Sequence, residues 1–213
     1  MQGINTIIWD WNGTLFNDID ICIESINLLL FERGIDQIDK KRYLEVFDFP
    51  VRDYYERIGF DFEKEAFEIP AIQFIDHYFA KVDKALLHTS ASEILNFFSD
   101  KGYVQLILSA AEQQKLESLL QKFNIHRYFK NVCGLEHDYA TSKVDLGLNM
   151  LNELSIKPNE ACLIGDTVHD FEVAQQLGCA CILVANGHHS VKKLRQTGAV
   201  VVNNLDQLMQ LIQ

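Results

Sequence analysis

Basic residues are scarce in this chain: 19 Lys and Arg face 30 Asp and Glu among 213 residues, a formal charge of −11. Such a surface repels a phosphate backbone, so no nucleic-acid partner is expected. A small anionic substrate is still admissible, because a site can be locally positive or hold a cation. Proline is rarer, with three residues, and there is no Pro-rich linker or repeat. No apolar run approaches the roughly 18 residues of a spanning helix, which excludes membrane insertion by that route. The stretch Met1 to Asn5 has no basic character and the following apolar run stops at Asp10, so no signal peptide is expected. The five cysteines (Cys22, Cys133, Cys162, Cys179 and Cys181) are odd in number and contain no Cys-x-x-Cys pair. Small buried side chains in a reducing compartment fit better than a disulfide framework or a zinc site. A cytoplasmic protein is the expectation.

What is present is a core-forming composition, 48% hydrophobic and 11% aromatic, enough for one domain or one domain with an insertion. Short apolar runs of strand length occur at 6–9, 104–108, 161–164, 181–184 and 199–202. Most are continuous and not alternating, as expected of strands covered on both faces. Helical spacing separates the later ones, at 112–123, 143–154, 170–177, 190–197 and 205–212, with Gly178 and Gly198 just past two of these. That alternation predicts an α/β fold, a doubly wound parallel sheet wrapped by helices. Residues 16–86 break it. They carry helical patterns at 18–31, 40–47, 51–58 and 70–82, with Pro70 in a first turn, and no convincing strand. The expected organisation is a core of residues 1–15 and 87–213 with an all-helical cap domain of 16–86 inserted after the first strand.

In a doubly wound sheet, ligands bind beyond the carboxyl ends of the strands. Asp10 follows the first run, Ser109 the second, and Asp166 and Asp170 the third, while Lys143 opens a helix after Thr141-Ser142. Three carboxylates crowded together would raise their own pKa values unless a hard cation joined them, and oxygen ligands suit Mg²⁺. One carboxylate could then attack phosphorus, with the lysine, the hydroxyl and nearby amides around the phosphoryl oxygens.

The segments Asp10-Trp11-Asn12-Gly13-Thr14-Leu15, Ser109, Lys143 and Gly165-Asp166 with Asp170 resemble, in order, the four motifs of the haloacid dehalogenase-like hydrolase superfamily. The long gap between the first two resembles members with a helical cap, such as the phosphoglycolate-phosphatase-like group. This resemblance implies a Mg²⁺-dependent phosphatase acting on a small phosphorylated metabolite through an aspartyl-phosphate. It implies Asp10 as nucleophile and metal ligand, the Asn12 carbonyl and Asp166 as further ligands, and Asp170 as a ligand through water or a support for Lys143. Ser109, the Ala110 amide and Lys143 would bind phosphate, with Gly13 and Thr14 shaping the nucleophile loop.

Asn12 departs from the family pattern, which has a second aspartate there as general acid and base. An amide cannot protonate a leaving alkoxide, and losing such a group costs about 10²–10⁴-fold in rate. Three consequences are open: a phosphatase limited to good leaving groups, an enzyme with another base (His169 is a candidate), or a phosphate-binding protein without turnover. A dehalogenase using Asp10 on carbon is a further alternative, although that chemistry needs no metal and the acidic pair Asp166/Asp170 argues against it. A receiver-type phosphoacceptor fits less well, since that fold has no helical insertion. Ser109 has a second reading as the N-cap of the helix near Glu112, and Asp166 and Asp170 as caps of the helix that follows them. His188-His189 reads as an exposed loop pair, and His77, His88, His126 and His137 as structural. Trp9 is expected in the core and Trp11 at the site entrance; Arg52, Tyr54 and Tyr55 are candidates to face a substrate.

Overall fold

The computed structural model describes residues 3–135 and 142–211, so Thr141, His137 and Ile212 lie outside the described residues. Six parallel strands form the central sheet: β1 (Thr6–Trp9), β4 (Val104–Glu112), β5 (Asn131–Leu135), β6 (Ala161–Gly165), β7 (Ala180–Val184) and β8 (Val200–Val202). Their order is β5-β4-β1-β6-β7-β8, so the winding reverses direction about β1. Two short strands, β2 (Phe16–Asn17) and β3 (Leu86–Leu87), pair antiparallel as a separate ribbon. Between them run four α-helices, α1 (Ile19–Glu32), α2 (Lys40–Val46), α3 (Val51–Arg57) and α4 (Glu68–Phe79), and a 3-10 turn at Val82–Lys84. The remaining helices are α5 (Ala91–Asp100), α6 (Gln113–Lys122), α7 (Lys143–Glu153), α8 (Val168–Leu177), α9 (Val191–Arg195) and α10 (Asp206–Leu211).

The apolar runs are continuous because both faces of the sheet are covered. Ile7 and Trp9 of β1 point into one cluster with Phe98 of α5, Leu116 of α6 and Leu208 of α10. Ile8 points the other way, into a cluster with Met150 and Leu151 of α7 and Val173 and Leu177 of α8. Trp9 is wholly buried and stands edge-on to Phe98 at 5.6 Å, and its indole N–H donates to Gln105 at 3.0 Å. Gly178 ends α8 in the left-handed conformation (φ +76°), as its position predicts.

The helical insertion has an apolar cluster of its own, built from Ile26, Leu29 and Leu30 of α1, Tyr43 of α2, and Tyr54 and Tyr55 of α3. Arg33 fastens it from outside with two bonds to Glu65, at 2.7 and 2.9 Å, and one to Gln73 at 2.6 Å. The loop from α1 to α2 is pinned by Asn27, whose Nδ2 donates to the Ile38 carbonyl and whose Oδ1 accepts from the Ile38 amide, both at 2.9 Å. Asn27→Ala leaves both backbone groups without that partner and is expected to cost about 1–2 kcal/mol. Urea unfolding should show a lower midpoint at unchanged slope, and an unshifted midpoint would show that the loop is held elsewhere.

Three elements lie outside those that the apolar runs predict: the β2–β3 ribbon, α5 and β5. All five cysteines are free; Cys22 and Cys162 are buried, the other three half-buried. Among the described residues no helix is long and apolar enough to cross a membrane.

Candidate active site

Asp10 directly follows β1, its amide donating to the Ile164 carbonyl of β6 at 2.9 Å, so the turn after β1 is tied to the neighbouring strand. Asp166 directly follows β6. Lys143 is the first residue of α7, fixed there by a reciprocal cap between Ser142 and Asp145. Asp170 sits in the first turn of α8, where Thr167 and Asp170 form the same kind of box. The capping role read for Asp170 is thus real, and it coexists with contact to the cluster.

These side chains converge. The Lys143 ammonium donates to Asp10 Oδ1 and to Asp170 Oδ1, both at 2.6 Å, and all three are buried. The Thr14 hydroxyl lies 3.2 Å from Asp10 Oδ2 and 2.9 Å from Asp166 Oδ1. The second Asp170 oxygen accepts from the Asp166 and Thr167 amides and the Thr167 hydroxyl. Two glycines make room for Asp166: a Cβ at Gly13 (φ +75°) or at Gly187 would collide with its carboxylate.

Burial, with the charge of Asp170 adding to it, lifts Asp10 to about 6 against the pull of Lys143. Burial lifts Asp166 further, to about 8, with Asp10 and Asp170 contributing. Asp170 is held below the usual range: burial opposes its charge, but Lys143 and Thr167 outweigh burial. Burial alone would lower Lys143, whereas the two carboxylates raise it and keep it charged.

Oxygens of Asp10, Asp166 and Asp170 lie within 4.8 Å of one another. Raised pKa values on two buried carboxylates among all-oxygen donors mark a negative surplus that a hard divalent cation would neutralise, so the residues fit such an ion. Asp18, Cys22 and His188 form a second close group. There the His188 imidazole already faces the Asp18 carboxylate at 3.2 Å, and burial pushes the Cys22 thiol well above its usual range, so that group reads as an ion pair with a neutral thiol beside it.

Asp18 and Tyr78 lie outside the sequence reading of the site. Asp18 is buried and accepts from the Gly13 amide at 3.1 Å, Tyr78 at 2.8 Å, the Asn12 side chain at 2.7 Å and His188. Asn12 Nδ2 lies also 2.9 Å from the Tyr78 hydroxyl. Burial would raise Asp18, but His188, Asn12 and Tyr78 hold it low. Burial would equally suppress His188, yet Asp18, Asp166 and Asp10 lift it to about 9. Asp18 occupies the N-cap position of α1, but its side chain makes no cap bond there.

The exposed pair expected at His188-His189 is therefore corrected: both are buried. The His188 amide donates to Asp166 Oδ2 at 2.6 Å and its Nδ1 meets the Tyr43 hydroxyl of α2 at 2.9 Å. His189 Nδ1 accepts from the Val168 amide at 3.0 Å, and burial beside Lys193 lowers its pKa to about 4. Lys193 of α9 donates to the Phe47 carbonyl at 2.7 Å, another tie from sheet domain to helical insertion.

The N-cap reading of Ser109 is also corrected. It is a buried residue of β4, α6 begins at Gln113, and its hydroxyl accepts from the Ala111 amide at 3.0 Å. Ser109 and Ala110 line, with Asp10, Asn12, Lys143 and Asp170, the floor of a cavity of about 570 Å³. Trp11 lines it too, but wholly buried and stacked on Phe16 at 5.0 Å, not at an exposed entrance. Tyr54, Tyr55 and His169 line it, whereas Arg52 is exposed and pairs with Glu56. The His169 ring packs 4.9 Å from Phe49. His77 and His126 are not among the lining residues, and neither is His88, whose ring burial drives to about 4.

Comparison with known proteins gives a consistent picture. Residues 7–184 match the model of the haloacid dehalogenase-like hydrolase family. A 5′-nucleotidase of Pseudomonas aeruginosa is 27% identical over 197 residues, 89% of this chain and 86% of that protein. A phosphoglycolate phosphatase of Synechococcus elongatus is 22% identical over 196 residues, covering 90% and 88%. A haloacid dehalogenase-like family protein of Streptococcus pneumoniae has the same fold over the whole of both chains, with a TM-score of 0.86 at 21% identity.

Proposed function

The chain belongs to the haloacid dehalogenase-like hydrolase family, and on that premise we propose that it is a Mg²⁺-dependent phosphatase of a small phosphomonoester, with Asp10 as nucleophile. The observation that carries this reading is the buried convergence of Asp10, Asp166, Asp170 and Lys143, of which Asp10, Asp170 and Lys143 line one cavity. Relatives that include a nucleotidase and a phosphoglycolate phosphatase support phosphate esters as the substrate class.

In this reading an Asp10 oxygen attacks phosphorus, the ester oxygen leaves, and water then hydrolyses the aspartyl-phosphate. Lys143, the Ser109 hydroxyl and the Ala110 amide hold the phosphoryl oxygens. Thr14, within hydrogen-bonding reach of both Asp10 and Asp166, fixes the nucleophile, and Gly13 leaves space for Asp166. Asp170 steadies Lys143. Asp10, Asp166, the Asn12 carbonyl and Asp170 are the groups that would hold Mg²⁺, which when bound neutralises charge on the phosphoryl group. Residues 16–86 act as a cap that opens for substrate and closes over it.

One observation favours a second reading, phosphate binding without turnover: the Asn12 amide is not an acid and is committed to Asp18 and Tyr78. Phosphate release from acetyl phosphate and phenyl phosphate separates the two. Turnover in Mg²⁺ that falls at least about a hundredfold in EDTA and returns on adding Mg²⁺ is expected. Silence on both with retained phosphate binding would favour the second reading, and halide release from a 2-haloacid in EDTA would favour a dehalogenase.

A further inference from the structure

From the cavity and Asn12 together we infer that the substrate is an aryl phosphate, a monoester of a phenolic oxygen. The inference rests on the phosphatase reading and names the substrate for the same site.

Two independent observations lead there. The first is the wall of the cavity above the phosphate floor. Phe47, Phe49, Tyr54, Tyr55, Phe74 and Tyr78 line it, flat apolar surfaces that favour stacking against another ring. A volume of about 570 Å³ holds an aromatic leaving group with room for substituents.

The second observation is Asn12. Its amide has no proton to give to the leaving oxygen, and both close contacts of its nitrogen are within the protein. When the Asp10 oxygen bonds to phosphorus, the P–O bond to the leaving group breaks and that oxygen departs with the electron pair. A phenolate, whose conjugate acid has a pKa near 10, bears this charge far better than an alkoxide does. The phenolate then takes a proton from solvent. Water adds to the phosphorus of the acyl phosphate and passes a proton to a phosphoryl oxygen, which frees inorganic phosphate and the Asp10 carboxylate. Apolar rings and a missing acid select the same substrate by different physics.

The test is a set of substituted phenyl phosphates of graded leaving-group pKa, with alkyl phosphates of matched size, phosphoglycolate, a nucleoside 5′-monophosphate and acetyl phosphate, all with the full chain in Mg²⁺. The expected result is a log(kcat/KM) that falls steeply with leaving-group pKa, and aryl esters ahead of matched alkyl esters by about a hundredfold or more. Phe74→Ala should lower the ratio of aryl to acetyl phosphate turnover by about tenfold. Equal use of alkyl phosphates, phosphoglycolate or the nucleotide, with no dependence on leaving-group pKa, would overturn the inference while acetyl phosphate turnover left the phosphatase reading standing. Silence on every compound, acetyl phosphate included, would overturn both. The pKa series on the parent protein decides the matter even where the Phe74 variant fails to fold.

Discussion

Asp10→Asn is expected to lower phosphate release by at least about 10⁴-fold while leaving the fold about as stable as the parent. The two halves of that expectation have separate causes. Turnover goes because an amide oxygen does not form an acyl phosphate, and no other carboxylate takes its place: Asp166 and Asp170 are engaged by the His188, Asp166 and Thr167 amides, the Thr14 and Thr167 hydroxyls and Lys143. Stability stays because the amide oxygen still accepts the Lys143 bond now made by Oδ1, while Lys143 keeps Asp170 as its charged partner. Removing one of several crowded buried carboxylates also relieves the repulsion that, with burial, lifts Asp10 to about 6. Single-turnover assays and urea unfolding on the same preparation read both halves. Activity above one part in a hundred would place the nucleophile elsewhere, and collapse of the fold would make the loss of turnover uninformative about chemistry.

The parts of this molecule that sequence reveals are those where one stretch of chain answers to one local requirement. The strands at 6–9, 161–165 and 180–184 stand out because most of their residues are buried from both sides, so each reads as an unbroken apolar run. Asp10, Lys143, Asp166 and Asp170 are legible because each stands just beyond a strand or in the first turn of a helix. β5 escapes because Asn131-Val132-Cys133-Gly134-Leu135 lies at the sheet edge and mixes polar, small and apolar residues. The β2–β3 ribbon escapes because two-residue strands have no periodicity to read. Helix α5 does carry helical spacing in Ala91, Ile94, Leu95 and Phe98. His188 and His189 look like an exposed pair because what buries them is remote: Asp18 is 170 residues from His188 and the Val168 amide 21 from His189. Asp18 is hidden for the same reason, since two of its partners, Tyr78 of α4 and His188 after β7, are 60 and 170 residues away.

That network makes Asn12→Asp a poor repair on its own. The Asn12 amide nitrogen lies 2.7 Å from Asp18 Oδ2, so a carboxylate there replaces a hydrogen bond by two like charges at contact. Asp18 is not free to yield its charge, because His188 and Tyr78 hold it ionised. The single variant is expected to lose about 2–3 kcal/mol of stability at neutral pH and to gain little turnover of alkyl esters. Adding Asp18→Asn returns one amide and one carboxylate to the contact with their roles exchanged. The double variant should therefore be more stable than the sum of the two single changes by about 1–3 kcal/mol, a coupling measurable by urea unfolding of all four proteins. Recovery will be partial, since His188 loses the counter-charge that now stabilises it. With a titratable carboxyl two residues after Asp10 and no anion opposite, alkyl phosphate turnover should rise, by up to the 10²–10⁴-fold typical of a general acid. If Asn12→Asp alone proved as stable as the parent and hydrolysed alkyl esters, Asp18 would not be what fixes the asparagine. If instead the rise appears only in the double variant, the missing acid and the buried Asp18 are two sides of one substitution: this chain keeps its second carboxylate six residues further on, where it ties Tyr78 of α4 to the loop after β1.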